Sequence, residues 1–247
     1  MLRNKGLLLL LGMFVLSQPA AIAFAAVVPS VEVQDIPQIS TKPKKIQLFG
    51  SSELRSRGSK SFNKWTTMWR RHNLPRSSDE QVTKKIVEPP QGCRGKDRIT
   101  CGRNKWNKFV EEQQGMPLGE LLGAVNHYMN RSTYIVDPVN WGIPDYWATP
   151  DEFFLKDGDC EDYAISKYVT LKRLGVDPSI MRLVILQDEN LRVAHAVLAV
   201  RYEDKYMILD NQVNAVLPDT KILHYRPVYS INESGWWLHH KRRFSIR

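Results

Sequence analysis

The chain has 247 residues, with 35 Lys and Arg against 26 Asp and Glu and a formal charge of +9. It is 43% apolar, enough for a sizeable core. The basic residues are scattered over 42–45, 55–64, 70–71 and 241–247 without zinc-finger spacing or an RNA-binding aromatic signature, so the charge argues for solubility and a bias toward acidic partners, not for nucleic-acid binding.

Residues 1–25 predict a cleaved export signal: Arg3 and Lys5 at the start, an apolar stretch over 7–16, then Ala21, Ala23 and Ala25 as small-residue cleavage positions. The apolar stretch falls short of the roughly 20 residues a membrane span takes. Cleavage removes Arg3 and Lys5 and no acid, lowering the charge from +9 to +7, and the expected location is the periplasm. Residues 26–54, rich in Pro, Val, Ser and Lys, read as an extended arm or linker. A single domain is expected over 55–240, with 241–247 as a basic tail.

Within the domain, Phe62, Trp65, Met68 and Trp69 recur at helical spacing. Residues 74–103, broken by Pro75, Pro89, Pro90 and several glycines, read as mostly loop. Helices are predicted over 104–113 and 118–130, the second with Leu121, Leu122, Val125, Tyr128 and Met129 on one face. An aromatic-rich loop follows over 141–150, ending in Thr149-Pro150-Asp151-Glu152, which has the chemistry of a helix start. That short helix ends near Gly158, and 160–174 predicts another, stopped by Gly175, with Ala164, Ile165, Tyr168 and Leu171 inward. After Pro178 the period becomes that of strands, over 182–186, 194–202 and 206–209, the last two joined by a tight turn at Asp204-Lys205. Shorter strands are expected near 213–216 and 222–225. Helices followed by antiparallel strands make an α+β fold, an N-terminal helical lobe packed on an antiparallel sheet.

Three cysteines in an oxidising compartment leave one over. Cys93 and Cys101 are close in sequence and form the natural disulfide, worth about 2–3 kcal/mol on a loop-entropy model. Cys160 remains, directly after Gly158-Asp159 at a predicted helix N-terminus, where the helix dipole and free N–H groups favour a thiolate. The small Gly158 is expected to leave room for substrate. Thiol catalysis also needs a base and a group that orients it. His195 near the start of one strand and Asp210 at the end of the next fall close to opposite positions across the predicted hairpin, so Asp210 is placed to hold the imidazole in one tautomer. Asp159, Glu161 and Asp162 flank the thiol. Unopposed, they raise its pKa, and a bound Ca²⁺ on carboxylate oxygens would neutralise them. An alternative reading stays open: Asp159 as an N-cap and Glu161 and Asp162 as first-turn acids.

Gly158-Asp159-Cys160-Glu161-Asp162-Tyr163-Ala164, a strand histidine and a strand-end aspartate together resemble the transglutaminase-like and papain-like thiol enzymes. With Trp141-Gly142, residues 145–150, Glu152-Phe153 and residues 158–167, the chain is most similar to the bacterial transglutaminase-like cysteine proteinases, over roughly residues 60–238. The resemblance implies a papain-like/transglutaminase-like cysteine protease fold, catalysis by Cys160, His195 and Asp210, and calcium dependence. It implies a large surface adhesin as substrate, cut near its N-terminus at a di-alanine site to disperse a biofilm. It also implies sequestration by an inner-membrane receptor that senses cyclic-di-GMP. A transglutaminase-type acyl transferase would use the same three residues, and a non-catalytic binding module would tolerate loss of Cys160. Trp236-Trp237 reads either as an exposed docking patch or as core.

Overall fold

The strands of the computed structural model are, in chain order, β1 (Ser52–Arg57), β2 (Met181–Asp188), β3 (Val193–Tyr202), β4 (Lys205–Leu209), β5 (Leu217–Pro218), β6 (Tyr225–Asn232) and β7 (Gly235–His240). They form one sheet in the order β1-β7-β6-β2-β3-β4-β5, with every neighbouring pair antiparallel. The helices are α1 (Asn63–His72), α2 (Arg98–Glu112), α3 (Leu118–Met129), α4 (Asp137–Asn140), α5 (Pro150–Lys156) and α6 (Cys160–Arg173). The structure describes residues 47–58, 60, 62–74 and 98–240. The export signal, most of the arm, Cys93 and the basic tail lie outside them, so the Cys93–Cys101 pairing stays an expectation. Cys160 is a free cysteine.

The alternation of strand side chains gives the sheet two apolar faces. Leu183, Leu198, Val200, Leu209 and Ile231 join the helical residues Trp65, Met68, Trp106, Leu122, Val125, Phe153 and Tyr168 in the main core. Val184, Leu186, Val197, Ala199 and Ile208 form a second cluster with Leu48 and Tyr225. α6 packs on β3 and β2 and against α3 and α5, and every residue from Asp162 to Leu171 is buried. The single inward face expected for this helix is therefore too narrow: it is enclosed on all sides, as an internal helix is. Gly175, at a φ of +87°, ends it as expected.

Several boundaries differ from the sequence reading. The arm gives way to structure before residue 54, because Leu48 is fully buried and Ser52–Arg57 pairs with β7. α2 begins at Arg98, inside the expected loop. The hairpin turn is Glu203-Asp204, one residue early, since Tyr202 pairs with Lys205. Of the two short strands expected near 213–216 and 222–225, the first is displaced to β5 and the second begins the longer β6. Trp237 is buried, held between the Arg55 and Arg182 guanidiniums at 5.3 and 3.8 Å, so its indole packs rather than docks.

Candidate active site

Cys160 is the first residue of α6, and Asp159 is its N-cap. The approach is tightly built. Ile135 N–H donates to Gly158 O at 2.9 Å, and Asn140 Nδ2 donates to Asp157 O at 3.1 Å. Lys156 donates to Asn140 O at 2.6 Å. An added Cβ at Gly158 would collide with the Asp162 carboxylate. The glycine thus makes room for Asp162, not for substrate as the sequence suggests. Asp162 Oδ1 accepts Ala148 N–H at 2.6 Å and Oδ2 accepts Asp159 N–H at 3.4 Å, tying the preceding loop to the first turn of α6.

His195 and Asp210 meet. The β3–β4 ladder runs from Tyr202–Lys205 only to Leu198–Leu209, so both residues lie just past its open end. There His195 Nε2 stands 2.9 Å from Asp210 Oδ1, with both residues buried. The carboxylate accepts two further bonds, from the Tyr225 hydroxyl to Oδ2 at 2.6 Å and from Gln212 N–H to Oδ1 at 2.9 Å. Burial alone pushes the Asp210 carboxyl up, but the His195, Tyr225 and Gln212 donors outweigh it and hold the group below the usual carboxylate range. The backbone is clamped as well, by Asn130 Nδ2 on Asp210 O at 2.8 Å. Committing Nε2 to Asp210 leaves Nδ1 as the ring nitrogen for a proton from a thiol. The backbone N–H of the next residue along, Ala196, acts on the Cys160 sulphur and favours its thiolate.

The larger influences at Cys160 work against ionisation. Burial raises the thiol strongly, then the Glu161 charge, a hydrogen bond to Glu161 Oε2 at 3.2 Å, and the Asp159 charge raise it further. The carboxylates are themselves crowded. Oxygens of Asp137, Asp159 and Asp162 lie within 4.8 Å of one another, as do those of Asp137, Asp145 and Glu161. Burial first, then neighbouring carboxylates, pushes Asp159 up to about 8 and Asp162 well above its ordinary value. Burial also raises Asp137 to about 6, with Asp159 adding to it and the Tyr146 N–H opposing. Asp137 Oδ1 and Asp159 Oδ1 are buried without a hydrogen-bond partner among the described residues. Buried carboxylates this close together, two of them with unpartnered oxygens, suit a hard divalent cation, and this donor set fits Ca²⁺.

The sequence reading named Asp159, Glu161 and Asp162 for this role, and all three fall in the cluster. It missed Asp137 and Asp145, which arrive from α4 and the loop behind it. The signal for them was faint: Asp137-Pro138 has the look of a helix start. Tyr225 was missed too, since nothing in the sequence aims a β6 residue at Asp210.

A cysteine at a buried helix N-terminus, facing a sheet that carries a histidine–aspartate pair, defines the thiol-hydrolase class. The family model described as bacterial transglutaminase-like cysteine proteinase matches residues 92–242, more than half of the chain, which therefore belongs to that family and is a cysteine protease. Similar solved structures include Legionella pneumophila LapG, 33% identical with a TM-score of 0.53 over 59% of this chain and 79% of that one. The same protein in an EGTA-treated form is 32% identical, with a TM-score of 0.54 over 61% and 82%. In a calcium-bound form it is 31% identical, with a TM-score of 0.53 over 62% and 87%. No curated protein matches the chain.

Proposed function

We propose that this protein is an exported, calcium-dependent endopeptidase using Cys160, His195 and Asp210, which cuts a large surface adhesin near its N-terminus and so releases cells from a biofilm. The observation that carries the chemistry is the buried 2.9 Å bond between His195 Nε2 and Asp210 Oδ1. It fixes the imidazole so that Nδ1 is the base. Nδ1 takes the Cys160 proton, and the thiolate forms a C–S bond to the scissile carbonyl carbon while the carbonyl electron pair moves to oxygen. Backbone N–H groups at the start of α6, that of Cys160 included, favour the oxyanion. Collapse breaks the C–N bond, and the imidazolium gives its proton to the leaving amine. Water, deprotonated by His195, then cleaves the thioester and restores the thiol.

Asp137, Asp159, Glu161 and Asp162 are the residues that would hold calcium. When bound, the ion supplies the positive charge that the carboxylates around the thiol lack. Two features support this: the orphaned oxygens of Asp137 and Asp159, and the fact that the similar LapG is known in calcium-bound and EGTA-treated forms. The export signal argues for action in the periplasm, and the resemblance for restraint by an inner-membrane receptor that senses cyclic-di-GMP. The test is to incubate the purified protein with N-terminal fragments of outer-membrane adhesins, with and without calcium, beside Cys160→Ala. Calcium-dependent new N-termini from the wild type alone are expected. Isopeptide crosslinks in their place would make the enzyme an acyl transferase.

A further inference from the structure

Exposed apolar side chains collect around the thiol. Hydrogen bonds fix which segments lie beside it. Asn130 Nδ2 donates to Asp210 O at 2.8 Å, the Tyr163 hydroxyl, from the first turn of α6, donates to Ser132 O at 2.6 Å, and Ile135 N–H donates to Gly158 O at 2.9 Å. Residues 130–135 are thereby stitched to Asp210 at one end and to positions on both sides of Cys160 at the other. Tyr134 and Val136 belong to this stretch, and they are 52% and 43% exposed. The Tyr134 backbone bridges to Gly158, and its ring stacks on that of Tyr163 with centroids 6.5 Å apart. The sheet adds more. Asp188 at the end of β2 pairs with Val193 of β3 and Tyr225 of β6, so the β2–β3 turn and the loop before β6 lie at the end of the sheet that carries His195 and Asp210. Glu189 N–H donates to His224 O at 2.9 Å and joins the two. Leu191, Val193 and Leu223 stand there, 59%, 48% and 88% exposed. A single exposed leucine needs no explanation, but five large apolar side chains around one reactive group mark a binding surface.

We propose that Tyr134, Val136, Leu191, Val193 and Leu223 form a substrate-docking rim, and that its occupant is an extended stretch of polypeptide with aliphatic side chains on both sides of the scissile bond. The inference deepens the proposed function and rests on its reading of Cys160 as the nucleophile. Continuity with the site identifies the occupant. A polypeptide whose scissile carbonyl meets the Cys160 sulphur leaves it in both directions, and at about 3.3 Å per residue four residues on each side cover about 13 Å of the surface around the thiol. Aliphatic side chains laid on the rim take apolar surface of both partners out of water, which serines or glutamines in the same places do not.

The test uses the calcium-loaded full chain and two quenched fluorescent peptides of twelve residues. Both carry Ala-Ala at the centre; one has Val and Leu at the four positions nearest it, the other Ser and Gln. The apolar peptide is expected to be cut with a kcat/KM at least tenfold higher. In Leu191→Ser/Leu223→Ser, KM for the apolar peptide is expected to rise about tenfold at unchanged kcat, the signature of lost uniform binding, while the polar peptide is cut as by wild type. Both positions are exposed, and the melting temperature checks that the variant folds. Equal kcat/KM for the two peptides, or a preference that the double variant keeps, overturns the inference. So does a wild-type chain that sediments as a dimer dissolved by the same two substitutions, which would give the rim to a second copy. If neither peptide is cut, fluorescence anisotropy with Cys160→Ala separates the two levels. Tighter binding of the apolar peptide, weakened by the rim substitutions, keeps the rim and rejects the cleavage reading. Binding without preference rejects the rim.

Discussion

Two groups of buried carboxylates lie around this site, and they are in opposite states. Asp210 accepts from His195, Tyr225 and Gln212, and its carboxyl sits below the ordinary range. Asp137, Asp159 and Asp162 are buried among one another, and all three are raised. Burial is common to both, so burial does not decide whether a carboxylate keeps its charge. The donors decide. The chain supplies them around Asp210, whereas around Asp159 it supplies a few N–H groups and more negative charge. The first site is complete as folded, and the second has the composition of a cation cage.

The most severe way to break this contrast is to remove the cation. Under EGTA, adhesin cleavage is expected to vanish and to return with added calcium, and full activity after exhaustive chelation would falsify the calcium reading. Next in size, Asp137→Ala is expected to weaken calcium binding about 100-fold in isothermal titration, given the role of charge count in such sites. Unchanged affinity would move the ion away from α4. On the satisfied side, Tyr225→Phe removes one donor to a charged group, worth about 1.5–3 kcal/mol. Its kcat is expected to fall at least tenfold with KM unchanged and the fold intact by circular dichroism. A raised KM at constant kcat would instead place Tyr225 against the substrate.

The smallest effect applies the same rule to a base. His239 bridges Ser51 Oγ at 2.7 Å and Ser230 Oγ at 2.8 Å. Burial, with the Arg182 and His240 charges, pushes it down to about 4. Its folded value lies below its unfolded one, so the native state binds fewer protons. That part of the stability is present above about pH 6.5 and is lost as pH falls toward 4, by up to about 3 kcal/mol. Urea titrations across that window are expected to show a shallower decline for His239→Gln than for wild type, and parallel curves would mean that His239 does not gate acid unfolding.

Much of this was legible in the sequence, for identifiable reasons. Cys160 stood out because disulfide arithmetic isolates it and the surrounding motif is long. His195 and Asp210 could be paired because a tight hairpin fixes register to within a residue or two, and the one-residue error in the turn did not matter beyond the end of the ladder. β1 was hidden because Ser-Glu-Leu-Arg-Ser-Arg is too polar to read as a buried strand, which is what an edge strand looks like. Asp137 and Tyr225 were out of reach because each joins the site only through tertiary packing, far in sequence from the groups it serves.

The pairing of β1 with β7 bears on how this chain is made. These are the earliest and latest strands of the described chain, and they match from Ser52–His240 to Arg57–Gly235. During synthesis β1 emerges before the other described strands and has no sheet neighbour among them until β7 follows, and the exposed Arg55 and Arg57 are suited to keeping such a waiting edge from pairing with other chains. A product that stops before Gly235 loses β7, strips β1 of its partner and leaves Ser51 without His239. Closure of the sheet thus waits on synthesis of Gly235–His240.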